Sequence, residues 1–160
     1  MRVLALGVLL SFQALICHAD DAAFINFAIK QAHDKKFMGC DAAIRSAFQY
    51  AEGGDINVNA SWFDATLSDS LTLTSTWGNK GDSVLMIANF RKQAGKCYLS
   101  KTVVLTTTNS CTVHANESKQ YAFRNETGDY TWFENKGGSQ MLLKPLNNGC
   151  IATYQMSALF

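Results

Sequence analysis

The chain of 160 residues has little proline and no surplus of charge of either sign. Pro145 is its one proline, so the Pro-rich spacers that stiffen linkers between domains are missing. There are 14 Lys and Arg residues against 13 Asp and Glu, a formal net charge of +1. A protein that neutralises several phosphates needs a basic patch, which this balance does not supply. The composition therefore indicates one domain and no nucleic-acid partner.

Catalytic and metal-binding motifs are missing as well. The chain has three histidines and five cysteines. No two cysteines form a C-x-x-C pair, and no H-E-x-x-H, P-loop, dinucleotide fingerprint or nucleophile elbow occurs. These absences exclude the common zinc hydrolases, nucleotide-binding enzymes and α/β-hydrolases. We therefore predict a protein that is not an enzyme and that carries no metal and no cofactor.

Two catalytic alternatives stay open at this stage. One is a Ser-His-Asp triad around His114, because such triads are recognised by geometry rather than by sequence spacing. The interpretation that we prefer is that His114 is a polar residue of a strand. A glycosidase pair of carboxylates is the other, but no pair stands out. The acids that follow the helical region lie at turns or strand ends, where they are ordinarily solvated: Asp55, Asp64, Asp69, Asp82, Asp129 and Glu134.

The one long apolar run, Val3 to Ile16, is too short to span a bilayer, which takes about 20 residues. It follows Arg2 and ends in Cys17-His18-Ala19, the layout of a cleaved secretory leader. We expect cleavage after Ala19, so that residues 1–19 are a signal peptide and 20–160 one domain without a membrane span. Lipidation of Cys17 is the alternative, disfavoured because bulky Ile16 precedes it. The protein is then secreted or periplasmic.

The domain retains Cys40, Cys97, Cys111 and Cys150. An even number in a short exported chain predicts two disulfides rather than a metal site. A bridge from Cys97 to Cys111 is disfavoured, because the run between them, CYLSKTVVLTTT, is typical of one extended strand whose ends lie far apart. We expect bridges that link Cys40 or Cys150 to the middle of the chain.

The first part of the domain has a helical pattern and the remainder a strand pattern. Residues 20–50 place apolar side chains at helical spacing, with Phe24 and Phe27 in the first stretch and Ile44 and Phe48 after a break at Gly39. From about Asn57 the period changes to two. Predicted strands are SLTLTSTW, SVLMIANF (apolar on both faces, hence central), CYLSKTVVLTTT, CTVHA, QYAFR, DYTWFE, QMLLKPL and CIATYQM, separated by turns such as GNKG and NKGG.

These elements predict an α+β domain. One broken helix or two helices at the N-terminus pack on an antiparallel sheet of seven or eight strands, open or barrel-like.

Three stretches are candidates for binding. The hairpin DYTWFENKGG predicts a partner-binding site at Tyr130, Trp132, Phe133, Asn135 and Lys136, because aromatic side chains near a turn are frequent interface anchors. The alternative places Trp132 or Phe133 in the core. Threonine rows at 72, 74, 76 and 106–108 are typical of outward strand positions. The alternative is that they form a polar binding face. Asn59, Asn116 and Asn125 match the glycosylation pattern.

The function predicted from these features is an exported, non-catalytic binding protein. Its partner is another protein, in the manner of an inhibitor or immunity-type partner of a secreted enzyme. One alternative is a carrier of a small apolar ligand, which requires a cavity lined by Leu71, Leu73, Leu85, Ile87 and Val103. Another is a small outer-membrane-associated β protein, suggested by the alternating terminus ATYQMSALF.

Overall fold

The computed structural model describes residues 19–51, 56–62 and 68–160, and the first elements in it are two helices. Helix α1 spans Ala19–Asp34 and α2 spans Asp41–Phe48. The predicted break at Gly39 is confirmed, and its φ of +84° is one that glycine adopts without a Cβ penalty. The predicted leader, with Cys17, and the acids Asp55 and Asp64 lie outside the described residues.

Eight strands follow the two helices and form one antiparallel sheet. Their order is β1-β2-β3-β4-β8-β7-β6-β5, so two meanders of four strands meet where β4 pairs with β8. In the described part of the chain β1 and β5 are the edges, and the sheet is open rather than barrel-like. The predicted α+β class is therefore confirmed. The bounds are β1 Asn57–Ser61, β2 Ser70–Asn79, β3 Asp82–Gln93, β4 Lys96–Thr107, β5 Tyr121–Thr127, β6 Tyr130–Asn135, β7 Gln140–Leu146 and β8 Gly149–Leu159.

A third helix, α3 at Cys111–Glu117, replaces the strand predicted for CTVHA. The hydroxyl of Ser110 accepts a hydrogen bond from the Val113 N–H at 3.3 Å, which caps the first turn. So short an apolar run has no periodicity that separates helix from strand, and the capping serine decides it. The prediction that His114 is a strand position is wrong for the same reason.

All three helices cover the same side of the sheet, and the core lies beneath them. α1 and α2 pack on β2, β3 and β4, whereas α3 packs on β7 and β8. Leu99 of β4 belongs to the first cluster and Leu105 to the second. Since they are six residues apart, alternation places both on one face. Phe27, which we assigned to the apolar stripe of α1, is 45% exposed.

Two disulfides attach the helices to the two central strands. Cys40, just before α2, is bonded to Cys97 of β4, and Cys111, the first residue of α3, is bonded to Cys150 of β8. Two bridges are confirmed, as is the expectation that Cys97 and Cys111 are not joined. None of the helices in the described ranges is long and apolar enough to cross a membrane.

Candidate functional site

The candidate site lies on the side of the sheet opposite the three described helices. We call this side the helix-free face, because no helix of the described residues covers it. Leu71 and Leu73 of β2 are buried under the helices, and Thr72 and Thr74, which alternate with them, point the other way. The threonine row predicted at 72, 74 and 76 therefore lies on the helix-free face. Pairing between strands then determines which other side chains join it.

An apolar band crosses the helix-free face, and we define it as Leu85, Ile87, Val104, Leu142 and Trp132. Leu85 lies opposite Val104, Val104 opposite Thr153, Thr153 opposite Leu142, and Leu142 opposite Trp132. Directly opposed residues have Cβ atoms about 4.5–5.5 Å apart, so the side chains touch in sequence from β3 to β6. Leu85 and Ile87 are 36% and 37% exposed.

The structure divides the five hairpin residues predicted for partner binding. Trp132, half-buried, belongs to the apolar band, and Tyr130 is exposed on the same face, with the Lys144 ammonium 5.2 Å from its ring centroid. Phe133 points to the helix side, where it packs against Met141 and, edge-on, Phe123.

The other two hairpin residues lie at the β6–β7 turn. The Asn135 carboxamide oxygen accepts hydrogen bonds from the N–H groups of Gly137 and Ser139, both at 2.9 Å, and so shapes the turn. Lys136 is exposed there. Two of the five residues, Tyr130 and Trp132, are thus brought together on the candidate surface.

A polar trough lies beside the apolar band, and sequence analysis missed it. Its floor is one row of opposed residues across five strands: Ser61, Thr72, Asn89, Ser100 and Ser157. All five side chains are small, so the floor is low, and a cavity of about 670 Å³ opens above it. Trp62, Arg91 and Tyr98 also line the cavity.

No signal in the sequence marks this trough, because its residues come from five strands and meet only through the register. The Thr72 hydroxyl donates a hydrogen bond of 2.8 Å to the Asn89 carboxamide oxygen. The Lys35 ammonium lies 4.3 Å from the centroid of the Trp62 ring. These contacts hold part of the lining in a defined arrangement.

A second polar cluster lies on the helix side, around His114. Its Nε2 atom is hydrogen-bonded to the Tyr154 hydroxyl, which also bonds to Ser118. Burial lowers the pKa of His114, and the Glu117 carboxylate acts in the opposite direction. Burial raises the pKa of Tyr154. Since His114 belongs to α3 and Tyr154 to β8, the cluster attaches α3 to the sheet beside the Cys111–Cys150 bridge.

The remaining predicted features are distributed over the surface. Asp69, Asp82 and Asp129 are exposed, while Glu134 forms an ion pair with Arg124 at 2.9 Å. Within residues 19–51, 56–62 and 68–160, no three His, Cys, Asp or Glu side chains are grouped so as to hold a metal ion. The three asparagines of the glycosylation pattern are all exposed: Asn59, Asn116 and Asn125.

The cavity required by the carrier alternative is not formed by its five residues. Leu71 and Leu73 lie opposite Phe90 and Ala88 in the core, whereas Leu85 and Ile87 lie opposite Thr76 and Thr74 on the helix-free face. Sequence could not separate these residues, because SVLMIANF is apolar on both faces, and periodicity does not tell which face of such a strand the helices cover.

Comparison with family models, curated proteins and solved structures finds no match to this chain. Its function is therefore inferred from the geometry of the helix-free face.

Proposed function

We propose that the protein is an exported, non-catalytic binding protein that engages another protein through the apolar band. The band is the observation that carries the proposal: apolar side chains from four strands, with Thr153 of β8 between Val104 and Leu142, on a sheet face that no helix covers among the described residues. Leu85 and Ile87 are its exposed members, whereas Leu142 is 9% exposed. Exposed apolar patches with polar surroundings are typical of interaction sites. The two disulfides support export, because such bridges persist in oxidising compartments.

The surroundings of the band favour a protein as the partner. Arg124 and Glu134 form an ion pair at one end, and Lys144 lies 3.9 Å from the Asp129 carboxylate nearby. An apolar centre with a charged rim is the usual anatomy of a protein interface. A depression of about 430 Å³ beside Trp132 offers a place for a partner side chain. A small, bridged protein of nearly neutral charge suits an inhibitor or immunity-type partner of a secreted enzyme.

Site-specific photo-crosslinking tests this proposal. The photoreactive residue p-benzoylphenylalanine is placed at Ile87 in the band or, as the control, at Phe27, which is 45% exposed on α1. In the native extracytoplasmic fraction we expect one discrete heterologous adduct from position 87 and none of that mass from position 27. Excess unlabelled protein should compete with it. The same adduct from both positions, or an adduct of two copies of this chain, would contradict the proposal.

Trp132→Ala measures how much the band contributes. If Trp132 is an anchor, its loss should weaken binding by about 2 kcal/mol or more, roughly 30-fold in Kd. The variant should then compete poorly for the adduct. Thermal melting of the same variant separates this from unfolding, since a fully buried tryptophan would cost about 3–5 kcal/mol in stability. A large loss of melting temperature with competition intact would remove Trp132 from the site.

A further inference from the structure

The polar trough has a floor of hydroxyl and carboxamide groups, which a hydroxyl-rich or amide-rich ligand complements. Ser61, Thr72, Ser100 and Ser157 each present a hydroxyl that both donates and accepts, and Asn89 adds a carboxamide. Covering the hydroxyls of Ser61, Ser100 and Ser157 with an apolar ligand would separate them from water, which is costly. The floor therefore favours a ligand that carries hydrogen-bonding groups over a purely apolar one.

The walls of the trough add two aromatic side chains and one guanidinium group. Trp62 and Tyr98 line the cavity, and Tyr98 is 43% exposed. Their rings offer apolar faces that end in polar groups. Among the described residues, Arg91 is the one basic residue in the lining, and none of the lining residues carries a carboxylate. The described lining therefore supplies neither the several cations that a polyphosphate needs nor the carboxylates that a metal ion prefers.

The ligand that complements both parts is a sugar ring, which has apolar C–H faces and a rim of hydroxyl groups. We propose that the trough binds a short oligosaccharide, with a ring against Trp62 or Tyr98 and its hydroxyls on the serine, threonine and asparagine floor. The volume of about 670 Å³ is within the usual range of small-molecule sites. Asn89 and Ile87, the nearest member of the apolar band, are two residues apart on β3, about 7 Å, so the trough adjoins the band, but the two sites share no residue.

Calorimetric titration of the purified protein with chitotriose, cellotriose, maltotriose and 3′-sialyllactose tests the proposal. We expect at least one of these sugars to bind with a Kd of about 1 mM or below. Preference for sialyllactose would indicate that Arg91 binds the carboxylate of the sugar. Preference for a neutral sugar would indicate that Arg91 binds sugar hydroxyl groups. Absence of heat and of any chemical-shift change with all four sugars, at ~10 times that concentration, would overturn the proposal.

Two variants and two matched controls locate the site. Trp62→Ala removes an aromatic wall, and Ser157→Phe fills the floor from an exposed position on β8; each should weaken sugar binding about tenfold or more. Thr76→Phe adds the same bulk at an exposed position of the helix-free face outside the trough, and Trp132→Ala alters the band. Both controls should bind sugar like the parent. Should Trp62→Ala not fold, Ser157→Phe decides, and unchanged affinity in it would overturn the assignment.

Discussion

His114 illustrates how the fold determines the protonation of one residue. Its ring lies between α3 and β8, hydrogen-bonded to the Tyr154 hydroxyl, and burial lowers its pKa from the ordinary value of 6.5. In the unfolded chain the imidazole takes up a proton near pH 6.5, whereas in the folded protein it resists protonation to lower pH. The unfolded state therefore binds more protons in that window. The stability from this site is fully present above about pH 6.5 and is lost as the pH falls toward the folded-state pKa.

We expect the melting temperature to fall between about pH 7 and pH 5.5, and His114→Gln to reduce that fall. Thermal unfolding monitored by circular dichroism at several pH values measures it. Glu117→Gln is the matched control with the opposite sign: Glu117 raises the pKa of His114, so its removal should steepen the fall. A His114→Gln variant with the full pH dependence of the parent would show that other groups cause it.

Side-chain direction within a single strand was predictable from sequence, but the environment of each face was not. Alternation correctly separated Leu71 and Leu73 from Thr72. It could not show that Leu85 and Ile87, on a strand apolar on both sides, remain exposed, because that depends on a second layer being present or missing. The trough could not be predicted from sequence, because its floor forms only when five strands pair in register.

At the scale of elements, each disulfide holds a helix against one of the two central strands. The Cys40–Cys97 bridge attaches the start of α2 to β4, and Cys111–Cys150 attaches the start of α3 to β8. Their sequence separations are 57 and 39 residues. Because the closure entropy grows only with the logarithm of loop length, the two bridges should stabilise the fold by similar amounts.

Removing either bridge should lower the free energy of unfolding by about 4 kcal/mol in the chain-entropy model. The double variants Cys40→Ala/Cys97→Ala and Cys111→Ala/Cys150→Ala, unfolded in urea, measure the two values separately. Each is compared with the parent under oxidising conditions, so that no free thiol is left in any sample. A loss confined to one of the two variants would contradict the expectation of equal contributions.

The elements themselves were predictable in proportion to their length. The long alternating run of β4 and the helical region broken at Gly39 were both placed correctly from sequence. α3 was not, because seven residues offer too few turns for a period to show, and its helical state rests on the Ser110 cap and the bridge at Cys111.

At the scale of the whole molecule, the fold consists of two halves that are each continuous in sequence. Residues up to Thr107 supply α1, α2 and β1–β4, and residues from Cys111 supply α3 and β5–β8. Each disulfide lies within one half. Strand pairing joins the halves only between β4 and β8 among the described residues. The connection, residues 108–110, is exposed.

A protease site inserted between Thr108 and Asn109 should be cleaved without separating the halves. Exposed connections tolerate such insertions, and the β4–β8 ladder should hold the nicked protein together. We expect one peak in native size-exclusion chromatography and two fragments on a denaturing, non-reducing gel. Fragments that stay linked on that gel would contradict the disulfide pairing, and halves that separate in native buffer would show that the ladder is too weak.

The arrangement of bridges within halves has a consequence for biogenesis. If the chain is exported as we propose, it passes through a translocation channel with its N-terminus first, and Cys40 and Cys97 emerge before Cys111 and Cys150. An oxidase that joins cysteines in their order of appearance then makes both native pairs without error. This protein should therefore mature without a disulfide isomerase. A protein with an interleaved pairing of the same four cysteines would need one.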